Sequence, residues 1–302
     1  MKTPAAFFLV LLFFVNAIAQ SVQPNPVLEK RSIFFVPLLS GLFPSFGQFK
    51  DGEAKKGIII LGFAATGILI ADEAKKRQKE FLQSDSLGWH GYNDNVRAEE
   101  FGLGMFKHAG QFSLYESFLN RVEDYKAEGK YLFLPVEQNL ESIHKAPFKF
   151  EYLTRWTTFV PLLLGLAGGA TNYNRSPVPE HFNIRLVDAT TSTYRSYVAG
   201  VGEEAMFRGW LQPIIYENTQ NFWLSNSIQG LAFGFAHGPR PYIQTVFGLY
   251  SGWLTQRNNW DLSESIFIHT WWDIFIITAE AARSRSFTSD FYIQLPMFEA
   301  SF

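Results

Sequence analysis

Six polar side chains interrupt apolar sequence at spacings that suit chemistry: Glu203, Glu204 and Arg208 in one block, His237 at the end of a second, His269 and Asp273 in a third. Glu204 and Arg208 are four residues apart, about 40° on a helix, so they can pair. Glu203 points about 100° away from Glu204 and can face a different cavity. His269 and Asp273 share a face by the same four-residue spacing, and an aspartate accepting from an imidazole N–H fixes the ring's tautomer. Each ionisable group in an apolar helix costs several kcal/mol unless it is compensated. Glu203, His237 and His269 are therefore expected to meet around one water, or around one Zn²⁺, and to make a nucleophile of the bound water. A structural ion pair plus an interfacial glutamate is the bland alternative for the first cluster. An isolated histidine near a helix end is the bland alternative for the second. No HExxH motif is present, so the spacings give no independent warrant for zinc.

These residues need helices to hold them. Four apolar blocks carry or connect them, at 194–216, 222–237, 242–254 and 262–281, separated by the polar breaks ENTQN, GPRP and TQRNNWD. Upstream, 156–171 is also apolar and contains Gly165-x-x-x-Gly169, which permits close helix packing. The stretches 32–49 and 57–71 read as a helical hairpin with basic flanks that leave its orientation open. Between these parts, 88–95 (GWHGYNDN) is turn-rich and reads as a loop. The segment 101–125 alternates apolar and polar residues like an interfacial or membrane-capping helix. The polar stretch 172–192, with Pro177 and Pro179, reads as an inter-region loop. The apolar runs are too long for barrel strands, and backbone hydrogen-bond accounting in lipid leaves helices. The expected fold is all-α, a polytopic transmembrane helical bundle. Its regions are a signal peptide at 1–19, a membrane hairpin at 31–72, a polar helical region at 73–149, a membrane-embedded core at 156–282 and a tail at 283–302.

Composition agrees with that class. Charged residues make up 18% of the 302 residues, against about 25% in soluble domains. A net charge of −2 offers nothing to a phosphate backbone, so no nucleic-acid partner is expected. The absence of cysteine excludes disulfides, thiolate metal sites and cysteine nucleophiles.

EExxxR at 203–208, FxxxH at 233–237 and HxxxD at 269–273, in this order on successive apolar segments, resemble the CPBP family of intramembrane proteases. That family includes the type II CAAX prenyl proteases and the Abi proteins. The stretches GEEAMFRGWLQ and FGFAHG add to the likeness, which covers 194–282. The resemblance implies a membrane-embedded peptidase core in which Glu203 activates water and Glu204 and Arg208 orient the first motif. It places His237 near the same water, and His269 and Asp273 beside the developing oxyanion. Both a zinc-dependent and a metal-free glutamate mechanism exist for the family. The implied partners are a peptide or membrane-protein substrate and the lipid bilayer, in a bacterial cytoplasmic membrane crossed several times. The oligomeric state is left open. CAAX processing is the best-known family activity, but an export signal argues against a prenylated substrate. Three rivals stand beside this reading: a CPBP-like scaffold or immunity protein without activity, a proton-relay transporter, and a soluble helical enzyme.

A second, shorter likeness lies at 42–57 (LFPSFGQFKDGEAKKG), similar to small bacterial membrane domains with an LxPGxGQ-like hairpin but lacking the Pro-Gly pair.

The N-terminus makes its own prediction. Lys2, the apolar run 5–15 and Ala17-Ile18-Ala19 have the form of a cleaved signal peptide. Intact-mass analysis of membrane-extracted protein is expected to find a chain beginning at Gln20. A main species retaining Met1 would overturn the assignment.

Overall fold

The computed structural model describes residues 32–83, 89–174, 183–237, 241–283 and 292–294. The proposed signal peptide and nearly all of the C-terminal tail lie outside them. Helices dominate: α1 (Ser32–Leu42), α2 (Phe46–Lys50), α3 (Ala54–Gln83), α4 (Trp89–Lys126), α5 (Leu140–Lys145), α6 (Trp156–Asn174), α7 (Leu186–Glu204), α8 (Gln212–Thr219), α9 (Phe222–Ala236), α10 (Tyr242–Arg257) and α11 (Ser263–Arg283). Between α7 and α8 the chain continues as a π-helix, Ala205–Leu211, so 186–219 is one unbroken helical run. The departure from the all-α expectation is small. Strands β1 (Asn183–Arg185) and β2 (Tyr292–Gln294) pair antiparallel, with Ile184 opposite Ile293.

Helix ends follow local chemistry. Asn139 and Ser142 form a reciprocal capping box that starts α5. Asn221 caps α9 by accepting from the Leu224 N–H at 3.0 Å, directly after Gln220 turns left-handed at φ 50°. Ser45, between α1 and α2, sits at φ 85° where the LxPGxGQ-like pattern carries glycine, and its N–H donates to Ser113 Oγ at 2.8 Å.

Two expected loops are partly helix. Residues 89–95 begin α4, and 186–192 begin α7. Asparagine and glycine near a helix start are tolerated where tertiary packing carries the rest of a 38-residue helix. That helix is also more central than an interfacial reading allows, because α1, α3 and α7 all pack on it. Tyr115, Phe118 and Ser113 of α4 are fully buried. Around them lies the larger core, with Val201, Ala205, Leu262 and Ile266.

Among the described residues one helix is long and apolar enough to cross a membrane, over Ala54–Phe81. The apolar stretches Ile33–Leu42 and Trp156–Ala170 are shorter than a span. Helix α9 has 15 residues, or about 22 Å at 1.5 Å per residue, against about 30 Å of hydrocarbon. Length therefore supports one crossing, not the full polytopic set.

Glycine seams bring the elements carrying the six residues together. A Cβ on Gly200 would lie 2.7 Å from the Thr270 nitrogen, so α7 and α11 touch backbone to backbone. Gly230 and Gly248 do the same for α9 and α10, where Gln229 Nε2 donates to the Gly248 carbonyl at 2.9 Å. The Gly165-x-x-x-Gly169 pair on α6 seats α11, with Trp272 over Gly165 and the Phe275 carbonyl 2.8 Å from a Cβ placed on Gly169. Glu264, at the start of α11, is buried and accepts from Thr157 and Thr158 of α6, from Asn258 and from Arg155. Gly169→Val is expected to lower stability by about 1–3 kcal/mol through overpacking against backbone that cannot yield. Gly62→Ala, on an open face of α3, should leave melting unchanged or raise it. Thermal melts in detergent that rank the two variants equally would contradict the seam.

Candidate active site

Glu203 and Glu204 end α7, one residue after Gly202 and three after Gly200. The glycines remove the side chains that would keep α11 and α4 away from this turn. Arg208 follows in the π-helical segment, a widening that recurs at functional positions in helices. Glu204 and Arg208 are both fully buried, with Arg208 Nη1 3.1 Å from Glu204 Oε1. The guanidinium also lies 4.3 Å from the centroid of the Phe233 ring, on α9. One side chain thus ties the first motif to the helix that ends in His237.

Glu204 Oε1 has a second partner, His269 Nδ1 at 2.8 Å. A carboxylate accepts, so Nδ1 carries a proton and Nε2 faces the site. His237 is set the same way by a different acceptor. Its Nδ1 donates to the Phe233 carbonyl at 2.7 Å, which leaves Nε2 facing inward. Both Nε2 atoms approach one carboxylate oxygen, Glu203 Oε2, at 3.3 Å from His237 and 3.9 Å from His269. Asp273 Oδ2 lies 3.6 Å from His269 Nε2. The sequence suggested an aspartate orienting the ring of His269. In the fold Glu204 orients the ring through Nδ1, and Asp273 stands on the reactive Nε2 side.

All six residues are therefore brought together, from α7, the π-helical turn, the end of α9 and α11. Glu203 Oε2, the two Nε2 atoms and Asp273 Oδ2 converge on one place. Glu203 Oε2 is buried and lacks a hydrogen-bond partner. Such a cluster calls for a proton, a water or a cation. Two imidazoles and a carboxylate are donors that zinc accepts. Among the described residues, however, no three His, Asp or Glu side chains are arranged to hold a metal ion. An ammonium, Lys107 Nζ, already occupies Glu203 Oε1. The described side chains form no preassembled zinc site.

A cavity of about 640 Å³ opens beside the cluster. His237, His269 and Asp273 line its polar edge, while Trp156, Val160 and Leu164 of α6, Ile243 and Phe247 of α10, and Trp272 and Ile276 of α11 make apolar walls. The sequence singled out no wall residue on α6 or α10, because an apolar residue in an apolar helix carries no mark of facing a cavity. Lys107 was missed for a different reason: 96 residues separate it from Glu203. His108 and His144 meet edge to face, with ring centroids 5.8 Å apart.

Residues 188–275 match a known family model. It is the type II CAAX prenyl endopeptidase, Rce1-like family. The match spans all six site residues and bears out the resemblance to the CPBP and CAAX proteases. It associates this segment, at family level, with CAAX-type peptidases, a membrane-associated group. No curated protein and no solved structure matches the chain.

Arg208 generates the stability prediction of the site. Arg208→Ala leaves Glu204 buried with no cation and is expected to cost about 3–5 kcal/mol, lowering both yield and melting temperature. Arg208→Lys should recover only part of this, since a point charge cannot stack on Phe233 as a planar guanidinium does. Melting of the alanine variant at the parent temperature would show that the pair is not what holds the turn.

Proposed function

We propose that this chain is a membrane-embedded endopeptidase that hydrolyses a peptide bond with water activated by Glu203. The observation that carries the reading is the convergence of Glu203 Oε2, His237 Nε2 and His269 Nε2 at the edge of an apolar cavity. A carboxylate oxygen and two imidazole nitrogens gathered at one point are a place for water, with which each can hydrogen-bond.

In this mechanism Glu203 Oε2 accepts a proton from water as the water oxygen adds to the scissile carbonyl carbon. His237 Nε2, beside the same oxygen, shares that proton. Charge grows on the carbonyl oxygen and is met by His269 as an imidazolium, whose Nε2–H donates to it while Nδ1–H stays on Glu204. The proton then passes to the leaving nitrogen, the C–N bond breaks, and a carboxylate and an amine depart. The Glu204–His269 hydrogen bond and the Glu204–Arg208 pair keep the second imidazole in one orientation throughout.

Substrate class follows from the cavity walls and the outer surface. The walls suit an apolar segment next to the scissile bond. Trp156, Leu163 and Leu164 on α6, Phe235 on α9 and Tyr242, Ile243 and Val246 on α10 are exposed and apolar around the mouth. A surface of that kind belongs in contact with acyl chains. The substrate is thus a membrane-associated peptide that reaches the site from the lipid side, with α3 crossing the bilayer and the shorter helices packed partly within it.

Purified protein in detergent should cleave quenched fluorescent peptides bearing apolar segments. Glu203→Gln should keep its melting temperature and lose cleavage by roughly 10²-fold or more, because an amide cannot take the proton. Alanine at Glu203, His237 or His269 should each remove most turnover, and pairs should cost far less than the sum. Each protein is measured with added Zn²⁺ and with chelator, so that a metal requirement would be seen. Undiminished cleavage by Glu203→Gln would end this reading and favour a scaffold without activity.

A further inference from the structure

The family match begins at residue 188, yet one side chain touching Glu203 comes from far upstream of it. Lys107, on α4, places its ammonium on Glu203 Oε1 in an ion pair. Glu203 Oε2 is left facing the two imidazoles. The two carboxylate oxygens are therefore divided between two tasks. A carboxylate free to rotate presents either oxygen, whereas one pinned through Oε1 presents Oε2 alone.

The placement of Lys107 is built into the packing of α4. Gln111, one helical turn further on, lies directly against Gly202, where any Cβ would collide with its side-chain oxygen. Gly110 sits against the Gly41 carbonyl on α1, and Gly102 against Gly67 on α3. Close contacts on three sides fix the register of α4, and that register puts residue 107 at the end of α7. Charge gives the second reason. Glu203, Glu204 and Asp273 crowd one another, and Arg208 is committed to Glu204. Lys107 is the cation that pairs with Glu203, and it reaches in from a side chain that stays about half exposed, at 51% against 8% for Glu203. A long stem with a wet end spares the protein the cost of burying a second whole cation.

We propose that Lys107 is a positioning residue of the active site, holding Glu203 Oε1 so that Oε2 is the oxygen that takes the proton from water. This rests on Glu203 being the base. It also gives the segment upstream of the matched family a part in the chemistry.

The test has two arms on the full chain. In the first, Lys107→Met, Lys107→Ala and Lys107→Arg are assayed for peptide cleavage beside the parent. Methionine should lower kcat roughly ten- to a hundredfold, with KM and melting temperature close to the parent. Arginine should keep most of the rate, and ethylammonium in the buffer should restore part of the alanine variant's. Parent-like kcat in Lys107→Met would overturn the proposal, as would a loss rescued by neither arginine nor amine. The second arm needs no activity. Reductive methylation followed by peptide mass spectrometry should label Lys107 several-fold faster in Glu203→Gln than in the parent, with Lys76 on exposed α3 as an internal reference. Equal labelling of Lys107 in both proteins would show that the pair does not form and would overturn the proposal on its own. A parent protein that cuts no peptide but shows the labelling difference would instead count against Glu203 as a base, leaving the pairing intact.

Discussion

A guanidinium with no exposed surface dictates much of this structure. Arg208 is buried among apolar side chains, and removal of its charge from water must be offset locally or the helix could not pack. The offset is Glu204, 3.1 Å away, together with the face of Phe233. Each partner then constrains something else. Glu204 Oε1 also receives the Nδ1–H of His269, so the charge that stabilises Arg208 sets a tautomer on α11. Phe233 offers its ring to Arg208 and its carbonyl to His237, so the same residue sets a tautomer at the end of α9. Two imidazoles from separate helices are thus oriented through the same two residues that compensate one cation. Removing Arg208 would loosen the orientation of both rings before it changed any group that could touch a substrate.

Much of this was legible in the residues themselves. Glu204 and Arg208 at a four-residue spacing announce their pairing, and the energetic cost of ionisable groups in apolar helices predicts that Glu203, His237 and His269 share one place. The glycine pair on α6 announces a close helix contact, although nothing in it names α11 as the partner. Two things were hidden. The π-helical turn at 205–211 has no sequence mark, because i→i+5 bonding is selected by packing around Arg208 and Gly209 and not by residue propensity. The roles of Glu204 and Asp273 toward His269 were hidden as well. A four-residue spacing says that His269 and Asp273 are neighbours on α11, but which ring nitrogen each carboxylate meets depends on how α7 crosses that helix. Crossing is a tertiary fact.

The upstream segment illustrates the same limit. Its alternating polarity at 101–125 suggests an interfacial or membrane-capping helix, but many polar residues of α4 face protein. Ser113 and Ser117 contact the α1–α2 turn, Glu116 takes Lys56 and Gln48, and Arg121 takes Asp51. Gln48 is itself fully buried, its amide shared between Ser113 and Glu116. A helix with this many polar residues spoken for by neighbours looks amphipathic in sequence and central in space. This helix braces α7 from the side opposite α11, so Glu203 and Glu204 lie in a turn gripped by two long helices.

The two faces of the site also differ in wetness, and that difference bears on how a peptide bond could be presented. Glu204 and Arg208 have no exposed surface, whereas the His237 and Asp273 side chains are 30% and 24% exposed toward the cavity. The orienting groups are dry, and the two outer groups, His237 and Asp273, are not. Dryness strengthens each orienting contact, because charge in a low-dielectric setting is not screened. Partial wetting at the other side admits the water that hydrolysis consumes. An apolar substrate segment entering between α6, α10 and α11 would displace water from the walls and leave it at the polar edge, where Glu203 Oε2 and the two imidazoles are its remaining partners. Apolar walls with one polar edge therefore do two jobs. They hold the substrate, and by filling with it they confine water to the place where it can react.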